Sequence, residues 1–419
     1  MKRFALNSAS ILVKGAKRGA IYDLSSGNVY SIDDRSVAIL ESSQFDEPET
    51  EVISYLSKLQ SLGLGSFVDN NHQISQIDLS LKHRHLDFAW LEVTPQCNLR
   101  CIHCYAGSDC NNLSAKPKDS MTTEQWQKIL RDLISLDCKK IQFIGGEPLL
   151  FGRDLFTLIA EAKRLGFEFI ELYTNATLLT DKDIDFLSEY GVCVATSIYA
   201  DNAIIHDKIT QQQGSFDKTI NAVKKMRAMQ IKVRSAMVVS RYNENVIGET
   251  TEFMNNLCDC RLDHSYDIAR PVGRGAQDIL SNKLRVMRLQ GKPDFSKVTR
   301  DRFIQRLHYN SCWPGKICIT SNGDVIPCIM ARNEIAGNIT RDSLNDIIQN
   351  GMREYWRLSK NKVAICKDCE YRYACNDCRP LVRGETDNLY AKSPDCLYNP
   401  HTGEWGKVKE VIDEQLISI

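Results

Sequence analysis

The residues best equipped for chemistry stand together in Cys97-Asn98-Leu99-Arg100-Cys101-Ile102-His103-Cys104-Tyr105. A four-iron cube normally takes four thiolates. Three cysteines at C-x-x-x-C-x-x-C spacing hold three corners, which leaves one iron to bind something other than protein. His103 adds an aromatic ring just before the last ligand. The competing reading is a zinc loop, which would want a fourth Cys or His and usually uses C-x-x-C pairs.

A second group lies downstream: Cys312, Cys318, Cys328, Cys366, Cys369, Cys375, Cys378 and Cys396. Eight thiolates fill the eight corners of two four-iron clusters, and they would equally satisfy two zinc sites. The other five of the 16 cysteines are Cys110, Cys138, Cys193, Cys258 and Cys260. They read most simply as buried small hydrophobes, although Cys258 and Cys260 form a C-x-C and Cys110 lies close to the first loop. So many cysteines in a chain with no recognisable signal segment argue for metal ligands rather than disulfides.

The chain's 419 residues suggest two to three domains, and 43% apolar residues are ample for a buried core. Lys+Arg and Asp+Glu are equal at 53 each, so no long-range field draws nucleic acid or anionic lipid. The amino end has no apolar core of signal-peptide length, and no window approaches the apolar run of about 18 residues that a membrane span needs. The expectation is a cytoplasmic protein with no nucleic-acid or membrane partner.

The elements that must position these residues can be read from periodicity. Ala9 to Val13 reads as a strand, and Ala20 to Leu24 and Val29 to Ile32 as a hairpin turning at Ser25-Ser26-Gly27-Asn28. Asp33 or Asp34 caps a short helix through Leu40, and Val52, Ile53, Leu56, Leu59 and Leu62 give the 49–62 stretch a helical period. From Phe88 to about Pro271 short apolar runs alternate with amphipathic helices, the pattern of parallel strands with helical crossovers. Six strands follow: Phe88 to Val93, Lys140 to Ile144, Phe169 to Tyr173, Cys193 to Ile198, Lys232 to Val239 and Tyr266 to Ala269. Thr122-Thr123-Glu124-Gln125 is a capping box opening the first helix. Polar motifs fall at the carboxyl ends of strands, where such architectures place their sites: the cysteine loop after the first, Gly145-Gly146-Glu147-Pro148 after the second, Thr174-Asn175 after the third, and Ser197 near the end of the fourth. Val408, Val411, Ile412 and Leu416 read as a closing amphipathic helix.

The cysteine triplet followed by Gly145-Gly146-Glu147-Pro148 resembles the radical SAM enzymes, and the eight-cysteine region with Asn322-Gly323-Asp324 and Gly337-Asn338-Ile339 resembles the SPASM domain. The resemblance implies an α/β fold: a partial (βα)6 barrel at 86–280, a linker at 281–310, a SPASM domain at 311–400 and a C-terminal helix at 401–419. It implies that Cys97, Cys101 and Cys104 hold a [4Fe-4S] cluster whose open iron chelates S-adenosylmethionine. His103, Gly145, Gly146, Glu147, Pro148, Thr174, Asn175 and Ser197 would then serve the cofactor. Two auxiliary [4Fe-4S] clusters are implied, the first on Cys312, Cys318, Cys328 and Cys378, the second on Cys366, Cys369, Cys375 and Cys396. Four departures stand out. Ala176 replaces the glycine of Thr-Asn-Gly; the turn after Ser197 is Ile198-Tyr199-Ala200-Asp201; Thr210 stands where many relatives, after a match to His206-Asp207, carry an Arg; and only two residues separate Cys375 from Cys378. Arg270-Pro271-Val272-Gly273-Arg274-Gly275 resembles the exit of the last strand, whose backbone would hold adenine.

Residues 1–85, a hairpin followed by helices, resemble the winged-helix-like element with which many peptide-modifying enzymes clamp a leader peptide. A faint likeness at 13–24 points to maturases of grasp-with-spasm clusters. The implied activity is oxidative modification of a ribosomally made precursor peptide by a thioether or carbon–carbon crosslink, with a flavodoxin- or ferredoxin-type reductant as partner. Alternatives are formylglycine formation of the sulfatase-maturase type, against which Ile329 stands where that family has an Asp after the third SPASM cysteine; a small-molecule dehydrogenase; and, least favoured, a non-enzymatic peptide-binding scaffold. No catalytic proton-transfer residue can be named from the sequence.

Overall fold

A computed structural model describes residues 2–42, 49–69, 77–80, 85–108, 110, 113, 117, 119–258, 266–275, 279–290 and 293–407. Six parallel strands follow one another in sequence order: β6 (Phe88–Thr94), β7 (Lys140–Gly145), β8 (Phe169–Tyr173), β9 (Cys193–Ser197), β10 (Val233–Val239) and β11 (Tyr266–Ile268). Preceding them are β1 (Lys2–Leu6), β2 (Ser10–Lys14), β3 (Gly19–Asp23), β4 (Val29–Ile32) and β5 (Gly65–Asp69), with helices α1 (Asp34–Glu41) and α2 (Thr50–Ser61). The expected α/β fold with a six-stranded radical SAM-type core is present.

Alternation along each strand decides what goes where. Ala89, Leu91 and Val93, Ile141 and Phe143, and Ile170 and Leu172 are buried in one apolar core. That core also takes Trp126, Ile129, Leu130 and Leu133 of α3 (Thr123–Ser135) and Leu155, Leu158, Ile159 and Ala162 of α4 (Arg153–Leu165). The intervening positions Trp90, Gln142, Ile144, Glu171, Tyr173, Ser197 and Arg234 line an inner cavity. The capping box at the start of α3 is formed: the Gln125 N–H donates to Thr122 Oγ1 at 3.3 Å, and the Thr122 N–H to Gln125 Oε1 at 2.8 Å.

The sheet does not stop at the barrel. β12 (Lys316–Ile319) runs parallel to β6, pairing Cys318 with Trp90, and β13 (Asp324–Ile326) and β14 (Gly337–Asn338) extend it, giving nine strands in the order β11-β10-β9-β8-β7-β6-β12-β13-β14. The 281–310 stretch is more than a linker: α9 (Asn282–Gln290) and α10 (Arg300–His308) lie in it, and Phe295, Val298 and Phe303 pack with Val13, Tyr22 and Tyr373. At the amino end β2-β3-β4 form an antiparallel meander, and β1 pairs with β5, a ribbon that the periodicity did not reveal. Glu404–Trp405 pair with Tyr398–Asn399 as a short ribbon where a helix was expected from 401. The rest of that expected helix, from Val408, lies outside the described residues, as does Cys260.

Candidate active site

The cysteine loop leaves β6 and is fixed from three directions. Against α6 (Ala203–Thr210), the Arg100 and Ile102 N–H groups donate to the carbonyls of Thr210 and Ile209, each at 3.0 Å. At the base, the Gly146 N–H donates to the Thr94 carbonyl at 2.8 Å and the Glu147 N–H to that of Gln96 at 2.7 Å. A Cβ on Gly146 would lie 2.0 Å from the Gln96 carbonyl oxygen, so this glycine is demanded by the close approach of two strand exits. From above, Arg274 closes the loop: its backbone N–H donates to Cys104 O at 2.8 Å, Nε to Cys101 O at 3.1 Å and Nη1 to Ser108 O at 2.8 Å.

Glu147 is fully buried, and neither it nor Pro148 lines the cavity. Its Oε1 accepts from the Thr174 hydroxyl at 2.7 Å and the Leu149 N–H at 3.1 Å, and Oε2 from the Asn175 N–H at 2.8 Å. Burial pushes its pKa up to about 7 against the bonds from Thr174, Asn175 and Leu149. The carboxylate therefore shapes the Thr174-Asn175 turn. Asn175 in turn donates to Asn98 Oδ1 at 2.9 Å and reaches Cys97 Sγ at 3.9 Å. Ala176 holds φ +61°, the left-handed conformation that a glycine would take more easily.

The cavity, about 730 Å³, is lined by the three cysteines, His103, Gly145, Gly146, Thr174, Asn175 and Ser197. Those sequence-assigned residues therefore face one space. The Ser197 and Tyr173 hydroxyls are bonded at 2.9 Å. His103 packs edge-on to Tyr199, centroids 4.7 Å apart, with its buried Nδ1 unpartnered; burial, with Arg274 and His206 nearby, pushes its pKa down to about 4. Sequence reasoning missed three contributors. Arg274 was read only as part of a strand exit. Glu171 meets Arg234 in a two-point pair at 2.7 Å and also accepts from Gln142, a polar ladder inside the lumen that only period-two reading of the strands could have flagged. Ile329 and Met330 of the downstream region also line the cavity. Asp207 instead holds the turn into α7 (Ser215–Ala228), accepting from Gly214, Ser215 and Phe216.

The downstream cysteines sort by electrostatic neighbourhood. Cys328 interacts with Cys312, Cys318 and Cys378, whereas Cys375 interacts with Cys366, Cys369 and Cys396. No disulfide joins the described cysteines, and among the described residues no three His, Cys, Asp or Glu side chains converge as ligands of one metal ion would. The donor chemistry suits iron–sulfur clusters: three mutually interacting thiols around Cys97, with an unpartnered ring nitrogen of His103 beside them, and four thiols in each downstream set.

Fold and site together define a protein with a radical SAM core and a SPASM domain. Residues 91–254 match the radical SAM superfamily, and residues 312–370 match SPASM, described as an iron–sulfur cluster-binding domain. The radical SAM domain brings S-adenosylmethionine and an iron–sulfur cluster as cofactors. The chain is 26% identical over 347 residues to the AdoMet-dependent heme synthase of Methanosarcina barkeri (strain Fusaro / DSM 804), covering 74% of this chain and 96% of that protein. It is 25% identical over 342 residues to the antilisterial bacteriocin subtilosin biosynthesis protein AlbA of Bacillus subtilis (strain 168), covering 78% and 72%. The crystal structure of Streptococcus suis SuiB bound to precursor peptide SuiA shares the fold, with a TM-score of 0.57, 16% identity, and 94% and 99% of the two chains covered. The chain is thus a radical SAM/SPASM enzyme related to peptide maturases. Among the described residues no helix is long and apolar enough to cross a membrane.

Proposed function

We propose that this chain oxidatively modifies a ribosomally made precursor peptide, closing a thioether or carbon–carbon crosslink. The observation that carries the reading is the single cavity reaching from the Cys97, Cys101 and Cys104 loop to Ile329 and Met330 beside Cys328, with Arg270 on its wall in contact with Cys378. A substrate residue held there lies between the site of hydrogen abstraction and an auxiliary site. When bound, the cluster on Cys97, Cys101 and Cys104 and its S-adenosylmethionine supply a 5′-deoxyadenosyl radical able to take hydrogen from an unactivated carbon.

The protein's part is to bind, orient and exclude water. Asn175 and the Ser197–Tyr173 hydroxyl pair present polar groups to the cofactor space, Gly145 and Gly146 let the Thr94 and Gln96 carbonyls close in behind the cavity wall, and Glu147 fixes the turn that carries Asn175. Cys312, Cys318, Cys328 and Cys378, then Cys366, Cys369, Cys375 and Cys396, hold two auxiliary [4Fe-4S] clusters, three in all. Residues 1–85 bind the leader, a flavodoxin or ferredoxin supplies electrons, and the enzyme works in the cytoplasm. Ile329 reaches the cavity with an apolar side chain, which supports crosslinking over formylglycine formation.

The test is anaerobic reconstitution with a short peptide encoded beside this chain. Mass spectrometry should show two hydrogens lost per crosslink, with 5′-deoxyadenosine and methionine formed. Modification of a small molecule with no effect on any such peptide would favour the dehydrogenase reading, and failure of dithionite-reduced protein to cleave S-adenosylmethionine would sink both.

A further inference from the structure

The two downstream cysteine sets sit in different electrostatic surroundings. Beside the first, two arginines are paired with carboxylates. Glu92 and Arg332 pair at 2.7 Å beside Cys318, and Arg270 and Asp267 pair at 2.6 Å beside Cys378. Around Cys375 of the second set, cations outnumber anions. Arg306, Lys360, Asp377 and Arg379 line one small cavity with Cys375, and their exposures are 7%, 8%, 7% and 1%. Lys360 Nζ and Arg379 Nη2 both bond to the same oxygen, Asp377 Oδ2. Arg306 meets no carboxylate there: Nη1 donates to the carbonyls of Tyr373 and Ala374 at 3.2 and 2.9 Å, and Nη2 to Asn376 Oδ1 at 2.5 Å. Two further acids stand next to these cysteines: Glu370, buried beside Cys369, whose Oε1 accepts from Tyr398, and Asp395, next to Cys396, whose Oδ2 is buried. At the cavity beside Cys375, three buried cations therefore face one carboxylate, Asp377.

Buried charge without a partner costs several kcal/mol, so this arrangement is stable only if something anionic fills the space between the thiols. Four thiolates on a cluster supply that charge. Attraction between fixed cations and a cluster favours its more negative, reduced state, since net charge and hydrogen bonds around the sulfurs set the potential. We propose that Arg306 and Lys360 poise the auxiliary cluster of Cys366, Cys369, Cys375 and Cys396 at a higher reduction potential than that of the first set, making it the site where an electron taken from substrate collects. The inference rests on the auxiliary-cluster reading and not on the identity of the substrate.

The test uses full-length protein reconstituted with iron and sulfide, carrying Cys97, Cys101 and Cys104 each changed to Ala so that only auxiliary signals remain. Iron content, about eight per chain, checks the cluster reading on its own. Redox titration followed by electron paramagnetic resonance should give two midpoints. Lys360→Met should lower the higher one at least tenfold in its reduction constant, about 59 mV for one electron, and leave the lower one in place; Lys360→Arg should keep both. If Lys360→Met loses iron, Arg306→Gln takes its place with the same expectation. Unmoved midpoints at full iron content, or movement of the lower one instead, would overturn the proposal.

Discussion

Arg274 Nε donates to the Cys101 carbonyl at 3.1 Å, so a residue 173 positions downstream of the cysteine loop holds it shut. The same side chain reaches Ser108 O, and its backbone reaches Cys104 O. Arg274→Met keeps the chain's bulk and loses the side-chain bonds to both carbonyls. It should lose about four irons per chain, those of the radical SAM site, and abolish reductive cleavage of S-adenosylmethionine. Iron analysis and 5′-deoxyadenosine release check this; a variant with full iron content and undiminished cleavage would show that the clamp is dispensable.

Glu147 joins the second strand's exit to the third's. Glu147→Gln replaces one accepting oxygen with a donor, leaving a buried N–H of Asn175 or Leu149 unpaired at a cost of about 1–3 kcal/mol. The carboxyl also couples stability to pH. Its folded pKa of about 7 lies above the ordinary 4.5, so the folded state keeps a proton that the unfolded chain releases between these values. This contribution is fully present below pH about 4.5 and fades as pH rises through about 7, by up to about 3 kcal/mol. Urea denaturation of the apo-protein at pH 5 and pH 8 should show wild type losing that much relative to Glu147→Gln.

Ala176 marks where motif and backbone part company. In this left-handed position alanine costs about 1–2 kcal/mol, yet its methyl is buried against the barrel core, worth about 0.8 kcal/mol. Glycine would relieve the first term, forfeit the second and add freedom to the unfolded chain. Ala176→Gly should therefore change stability by less than about 1 kcal/mol, whereas Ala176→Val, branched at Cβ, should cost more than about 2 kcal/mol.

The six parallel strands were legible because each has a short apolar run whose ends fall at turn residues, and the cysteines because thiol spacing is local. The parallel pairing of β12 with β6 was not, since Cys318 opposite Trp90 joins residues 228 apart with no local signal. Nor was the role of Arg274 or Glu147, because a side chain's partner is set by tertiary approach. The Gly145-Gly146 pair was legible as a motif, but its steric reason, the Thr94 and Gln96 carbonyls, emerged only from the packing.

Arg234 fills the lumen beside Tyr173, its guanidinium 5.5 Å from the ring centroid and its two bonds aimed at Glu171. Arg234→Met would leave Glu171 buried with Gln142, and should cost about 2 kcal/mol because hydrogen bonds to a charged group are lost. Adding Glu171→Gln removes the stranded charge and should recover at least half of that loss. A double variant less stable than Arg234→Met alone would show that Glu171 is held by groups other than Arg234.

Gly15 lies against the buried Glu370 next to Cys369: a Cβ there would approach Glu370 N at 2.9 Å and the Arg18 carbonyl at 2.8 Å. Around this contact the Ala16 N–H donates to Asp368 O at 2.8 Å, Arg372 Nη1 to Lys14 O at 2.8 Å and the Tyr22 hydroxyl to Glu370 O at 2.9 Å. The β2–β3 hairpin is thus packed onto the loop that carries Cys366, Cys369 and Cys375. Removing residues 1–85 would strip both the surface proposed to bind a leader and a support of the loop that carries Cys366, Cys369 and Cys375, so loss of activity on truncation would not separate a peptide substrate from a small one. Gly15→Val isolates the support: it should force the hairpin off the loop and lower iron at the second site, while leaving S-adenosylmethionine cleavage at the first loop intact. Full iron content in Gly15→Val would show that the hairpin only covers the loop, and truncation would then become a clean test of the substrate class.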